Sequence, residues 1–364
     1  MSVVSSGHDV ADARLHREVE ALVRAGAQVE VMALGNPDDA PAGSRPQVVR
    51  GRGGFVGRAV RALVMPLRAR GRVLLVLDPD LVPAAWLAAR VTRRRLVVDV
   101  HEDYRALLRD RTWARGPGGS LARALAGGLS AASARADLTV VADDHVPPRR
   151  ARHRLVVENL PVRDHVPGPG ALSSEPRAVY VGDVRRSRGL RDMLAAVEGA
   201  PGWRLDVVGP VAPEDREWLA GWRASSAAAD RVVFHGRLAP VQSWQVAAGA
   251  WCGFALLAQT PAFRDAMPSK VLEYIAAGIP VVSTPLPRVA ALLEASGGGV
   301  VVTGPDQASA TLRRWTGAPE VVHRHRRAAL DWAAENLTGE SPYDAMAGEL
   351  VLLAGSGRAK REKT

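Results

Sequence analysis

Phe263-Arg-Asp-Ala-Met-Pro-Ser-Lys-Val-Leu-Glu-Tyr-Ile-Ala-Ala-Gly-Ile-Pro-Val-Val282 carries a helix signal and a strand signal back to back. Pro268 suits the first position of a helix, and Gly278 with Pro280 marks an abrupt stop. The spacing predicts a helix of two to three turns followed at once by a buried strand, Pro280–Ser283. A helix start exposes backbone N–H groups and a partial positive charge, which together attract anions, phosphate above all. Lys270 sits in that first turn, and it is the one lysine ahead of Lys360 and Lys363 near the end of the chain. A cation there is opposed by the helix dipole unless an anion lies nearby. Glu273, three residues on, can accept from two adjacent hydroxyls, as acidic residues do with ribose in dinucleotide folds. An anion site beside a diol acceptor describes a nucleoside diphosphate. The alternative is an exposed Lys270–Glu273 pair, worth only about 0.2–0.5 kcal/mol and in the less favoured order.

Outward from this segment the chain alternates short β-branched runs with longer amphipathic stretches, the mark of parallel sheets with crossover helices. Strands are predicted at Val3–Ser5, Gln28–Leu34, Val73–Leu77, Leu96–Val100, Leu138–Val141 and Leu155–Val157. A helix over Asp12–Arg24 places Leu15, Val19, Leu22 and Val23 at helical spacing and stops at Gly26. Pro161–Pro176 has linker chemistry. The alternation then restarts with Ala178–Gly182, Arg204–Val208, Val232–Phe234, Gly253–Leu257, Pro280–Ser283 and Gly299–Val302. The expected fold class is α/β: two doubly wound, Rossmann-like domains facing each other across a cleft. Domain bounds are expected at 1–165 and 175–335, with a helix at about 340–354 packing back on the first and a basic, disordered tail over 355–364. Open α/β sheets bind ligands at the carboxyl ends of their strands, so the cleft is the default site.

The 364 residues are 47% apolar and 24% charged, which suits a globular chain and excludes disordered or collagen-like ones. No apolar run approaches the roughly 20 residues that cross a bilayer. The first residues lack the basic and apolar regions of a secretory signal, and Cys252, within an apolar run, is the sole cysteine. A cytoplasmic protein with a buried structural thiol is expected, membrane-associated at most on the cytoplasmic face. The net charge of +10 is uneven: Arg45–Arg72 holds eight arginines and no acid. Within it Val60, Leu63, Val64 and Leu67 follow a helical period beside Arg58, Arg61, Arg68 and Arg70, as in a helix lying on an anionic membrane. The alternative is an Arg-rich helix packing that apolar face on its own sheet. Nucleic acid is not expected as a partner, because Phe55 alone interrupts the charge with an aromatic ring.

Pro268-Ser-Lys-Val-Leu-Glu-Tyr-Ile-Ala-Ala-Gly-Ile-Pro-Val-Val282 closely resembles the donor-binding helix of retaining GT-B glycosyltransferases of the family 4 type (glycosyl transferases group 1). That family places two acidic residues, separated by seven others, before such a helix stop; here they are Asp265 and Glu273. The resemblance implies that Glu273 binds the donor ribose and that Asp265, one methylene shorter than the usual Glu, approaches the sugar. Tyr180-Val-Gly-Asp-Val-Arg-Arg-Ser-Arg-Gly-Leu190 resembles the family's diphosphate loop, with Gly182, Arg188 and Gly189 matching. Asp183 stands where the family has its first cation, and Arg185, two residues on, is the substitute in reach. Asp99-Val-His101 resembles the segment whose histidine orients the donor sugar, so His101 is assigned a sugar contact. Gly7 in the first loop would let backbone approach the donor. Gly236, in Val233-Phe-His-Gly-Arg237, would lie against the donor base. The likeness runs from about Val3 to Leu353. It implies transfer of a sugar from a nucleoside diphosphate sugar to a glycan or lipid-linked acceptor, with retention and with neither metal nor cofactor. Asp78-Pro-Asp80, the sole Asp-x-Asp match, reads as a turn at a strand end. Other GT-B chemistry, a nucleotide-sugar epimerase or a phosphorylase, and a basic binding module remain open at this stage.

Overall fold

Seven strands and six strands gather into two separate parallel sheets in the computed structural model, which describes residues 1–49, 54–110, 116–162, 165–166 and 168–356. The expected tail falls almost wholly on 357–364, outside the described residues; Gly355 and Ser356 instead end a helix, Pro342–Ser356. The chain divides into two units, Met1–Asn159 with Glu340–Thr364, and Leu160–Gly339.

The first unit's strands are β1 (Ser2–Asp9), β2 (Glu30–Leu34), β3 (Arg45–Val49), β4 (Val73–Val76), β5 (Arg95–Val100), β6 (Leu138–Val141) and β7 (Arg154–Val156). They pair in the order β3-β2-β1-β4-β5-β6-β7, so connections leave β1 to one side and return at β4 on the other. Val73–Val76 is buried on both faces, which is why it reads as an unbroken apolar run rather than an alternation. β3 escapes the sequence reading: an exposed edge strand of Arg, Pro and Gln shows neither an apolar run nor an alternation. The helix Ala13–Arg24 is capped by Asp12, whose carboxylate accepts from the Arg14 and Leu15 amides, and it buries Leu15, Val19 and Leu22.

The second unit's strands are β8 (Arg177–Val181), β9 (Arg204–Val208), β10 (Val232–Gly236), β11 (Cys252–Ala255), β12 (Val281–Ser283) and β13 (Gly299–Val301), in the order β10-β9-β8-β11-β12-β13. One face packs Tyr180, Phe254 and Trp203 against Leu312 and Trp315; the other packs Val179 and Val281 against Tyr274 and Ile275. Cys252 lies in the first of these cores, where burial pushes its thiol pKa up and leaves it an inert hydrophobe. Each sheet has one switch point, β1/β4 and β8/β11, where the carboxyl ends of adjacent strands open onto a crevice. Among the described residues no helix is long and apolar enough to cross a membrane.

Candidate functional site

In the second unit the helix Ser269–Ala276 leaves the β11 side of the switch point. It is shorter by a residue at its start than its sequence suggests: Pro268 is the N-cap, in extended conformation, not the first helical residue. That cap makes no side-chain hydrogen bond to the first turn. Lys270 and Glu273 are each only 7% exposed, so the reading of an exposed surface pair is wrong. Lys270 Nζ is buried without a hydrogen-bond partner and stands 3.6 Å from the centroid of the Tyr180 ring. Burial, then the nearby Arg188 guanidinium, drives its pKa well below the ordinary lysine value. A buried cation repelled by a second cation is poorly matched to an empty site and well matched to an anion.

Gly182 lies across from this ammonium, at the end of β8. Its φ of 132° is in the region that favours glycine, and a Cβ there would come within 2.9 Å of Lys270 Nζ. A side chain at 182 would occupy the space over the lysine. Arg188 closes the short turn Arg186–Arg188 that leads into the helix Leu190–Glu198, with its amide bonded to the Arg185 carbonyl. Arg185 is less available than the sequence suggests. Its Nη2 donates to Asp183 Oδ2 at 3.0 Å, so the carboxylate at the family's first cationic position holds the side chain meant to replace that cation. Arg237 Nη2 approaches the other oxygen of Asp183 at 3.9 Å. Gly236 ends β10 with φ 71°, and its carbonyl accepts from the Gly209 amide at 2.7 Å. Asp265 is exposed in the turn before the helix, its carbonyl accepting from Arg288 Nη1 at 3.1 Å.

Tyr180 is the residue the sequence reading missed here. It stands two positions before Gly182, and residues two apart in a strand share a face, so periodicity is the signal that could have placed its ring on the side of Gly182. Its hydroxyl donates to the Asp183 carbonyl at 2.7 Å, which fixes the ring under the lysine.

In the first unit His101 follows the carboxyl end of β5. Its Nε2 is 3.2 Å from the Tyr104 hydroxyl, and its ring centroid is 4.8 Å from that of His8. Asp99 Oδ2 lies 3.6 Å from Nδ1, beyond hydrogen-bond length, and acts on the ring as a charge. Burial opposes protonation of His101, yet Asp99 outweighs it and holds the pKa above the usual histidine value. Asp99 is itself clasped by Arg14, whose Nε and Nη2 each donate to one carboxylate oxygen at 2.7 Å. Arg14 also donates to the Val157 carbonyl and to Asn159 Oδ1, while the Tyr343 hydroxyl donates to that same Asn159 oxygen at 3.0 Å. The C-terminal helix is thereby tied to this cluster.

Gly7 packs against a side chain of its own unit. The position a Cβ would take lies 2.9 Å from Arg58 Cζ, so the group packed against this glycine is a guanidinium of the same chain. Arg58 reaches there because Asp78 Oδ1 and Asp80 Oδ2 accept from it at 3.0 and 2.8 Å. Asp78 also accepts from the Ser6 amide, and Ser6 Oγ donates to Asp80, so both carboxylates of Asp78-Pro-Asp80 are engaged within the chain. In the helix Phe55–Arg68 the alternative reading, an apolar face packed on its own sheet, is the one that fails. Ala62 and Met65 face the core, and the apolar stripe faces solvent: Val56, Val60, Leu63 and Leu67 are 75, 55, 62 and 54% exposed. Arg58 and Arg61, by contrast, turn onto the protein, Arg61 Nε donating to the Ser6 carbonyl at 3.2 Å.

Residues 175–315 match the family model "Glycosyl transferases group 1". The chain shares the GT-B fold with solved structures across nearly its whole length. Sucrose-phosphate synthase from Thermosynechococcus elongatus superposes with a TM-score of 0.68 at 14% identity, covering 98% of this chain and 99% of that one. WaaG, a glycosyltransferase involved in lipopolysaccharide biosynthesis, gives 0.67 at 15% identity over 95% and 98%. HepE from Anabaena, solved with UDP and glucose, gives 0.66 at 12% identity over 96% and 99%. No curated protein matches the chain by sequence.

Proposed function

We propose that the chain is a glycosyltransferase, transferring a sugar from a nucleoside diphosphate sugar to a glycan or lipid-linked acceptor with retention of anomeric configuration. The observation that carries this reading is Lys270: a buried ammonium without a hydrogen-bond partner, beside Arg188 and one turn from Glu273, at a sheet's switch point. Lys270, as a point charge, and Arg188, as a fork, would hold the donor diphosphate and stabilise the negative charge that develops on it as the sugar leaves. Such preorganised cations supply electrostatic stabilisation that a divalent ion supplies elsewhere, so the donor needs neither metal nor cofactor. Glu273 would accept from the ribose hydroxyls, and Gly182 leaves room for the phosphates over Lys270. Gly236 would meet the base through its backbone. His101, held by Asp99 and Tyr104, would donate to a sugar hydroxyl, and Asp265 would approach the sugar from its turn. Arg185 would neutralise Asp183 so that this carboxylate does not repel the donor. The exposed stripe Val56–Leu67, with Arg68 beside it, suits an acceptor carried on a lipid surface.

A thermal-shift panel of sugar nucleotides tests the reading, with uridine diphosphate sugars first because HepE was solved with UDP. At least one should raise the melting temperature of the wild-type protein, and Glu273→Ala should cancel most of that rise. A nucleotide-sugar epimerase would consume its donor with no acceptor present, so acceptor-dependent donor consumption separates the two. If no sugar nucleotide stabilises the wild type, the reading fails.

A further inference from the structure

The amino ends of the first unit's strands hold a cavity of about 740 Å³. This is the opposite end of the sheet from Asp78 and His101, and away from the carboxyl ends where α/β sheets ordinarily bind ligands. Its lining is unusual in charge. Eight arginines contribute to it and Asp137 is the one carboxylate, already paired with Arg95 at 3.0 Å. Arg94 donates to the Ala69 carbonyl, and Arg90 lies over the Trp86 ring at 5.5 Å. The side chains of Arg70, Arg72, Arg93, Arg135 and Arg152 make no ion pair among the described residues.

Topology sets these charges in a row. β4, β5, β6 and β7 are consecutive in the sheet, and Arg72, Arg94, Arg135 and Arg152 each precede one of them. Neighbouring strands run about 4.8 Å apart, so the arginines stand on roughly that pitch along the cavity. Arg93, at the C-cap of the helix Val82–Thr92, adds a fifth from above. It is the single non-glycine residue with positive φ among the described residues, 56°, at a position where glycine is the usual choice. Clustered like charges raise the free energy of the empty fold, and whatever binds them stabilises it by linkage. A lone phosphate would leave most of the row and most of the volume unused. A chain of phosphates meets both, because each guanidinium fork matches two phosphate oxygens.

We propose that this cavity is a binding site for an oligophosphate, a ligand with two or more linked phosphate groups, separate from the Lys270 site and independent of the glycosyl transfer reading. The same chemistry is offered by a soluble oligophosphate and by a lipid headgroup that itself links two phosphates, as cardiolipin does. Inorganic tripolyphosphate is the probe, titrated calorimetrically into Lys270→Met protein so that the other anion site is disabled. The expected result is one equivalent bound, weakening steeply with added salt. Changing Arg72, Arg93, Arg135 and Arg152 together to Gln should weaken it by about 100-fold or more. Arg93→Gln and Arg152→Gln singly, both exposed positions, should each cost several-fold and keep the proposal testable if the quadruple variant does not fold. Cardiolipin vesicles that sediment the protein, and release it to tripolyphosphate, would assign the headgroup as the source; vesicles that leave it in solution would assign the soluble ligand. The proposal is overturned if Lys270→Met protein binds no tripolyphosphate, or if a folded quadruple variant binds it as tightly as its parent.

Discussion

Arg14 and Lys270 are both buried cations, and their surroundings could hardly differ more. Arg14 donates to both oxygens of Asp99, to the Val157 carbonyl and to Asn159, and that company holds it charged against the pull of burial. Lys270 has an aromatic ring, a glycine and a second cation around it; Asp183 and Glu273 pull its pKa up, but burial and Arg188 outweigh them and drive it down. The same physics gives two outcomes. A buried charge whose bonds are complete serves the fold; one left incomplete is costly to the empty protein and is explained by something that arrives from outside.

The largest effect that tests this contrast lies at Arg14. Arg14→Met leaves the Asp99 and Glu18 carboxylates, 2.7 and 3.2 Å from its Nε, buried without their cation, and should cost about 3–5 kcal/mol of stability in urea unfolding. A loss below about 1 kcal/mol would mean that Arg14 is not held by Asp99 in the way described. Lys270→Met should act in the opposite sense. It removes a desolvated charge and keeps the volume, so the free protein should melt higher, by the equivalent of about 1 kcal/mol or more. A lower melting temperature would break the comparison. The smallest effect is in pH. The folded pKa of Lys270 lies below its unfolded value of about 10.4, so between the two the unfolded chain binds the extra proton. The contribution of Lys270 to stability therefore improves as pH rises through that window. Unfolding measured at neutral and alkaline pH should show this upward component in the wild type and lose it in Lys270→Met.

Much of the fold was legible because buried parallel strands declare themselves as short apolar runs between amphipathic helices. The helix at Ser269–Ala276 was legible for a further reason: its stop at Gly278 and Pro280 and its isolated lysine are local signals. What stayed hidden depends on contacts between distant residues. β3 carries Arg, Pro and Gln because its outer edge meets solvent, so its strand nature shows only in its pairing with β2. Arg58 looked like a membrane-facing cation, yet Asp78 and Asp80 draw it inward from twenty residues away. The Arg185–Asp183 pair also stayed hidden, because spacing permits such a pairing but cannot establish it. The solvent-facing stripe of the helix Phe55–Arg68 was visible as amphipathic in the sequence, but a helical period does not say which side meets the core. The arginine row before β4 to β7 is scattered over eighty residues and becomes a row only when the strands line up.

The central claim is that Lys270 waits for the donor diphosphate. Its most direct test is calorimetric titration of a nucleoside diphosphate and the matching nucleoside into wild-type and Lys270→Met protein. The wild type should bind the diphosphate far more tightly than the nucleoside, and Lys270→Met should erase about 10- to 100-fold of that difference while its fold stays intact. Equal preference for the diphosphate in both proteins would contradict the account.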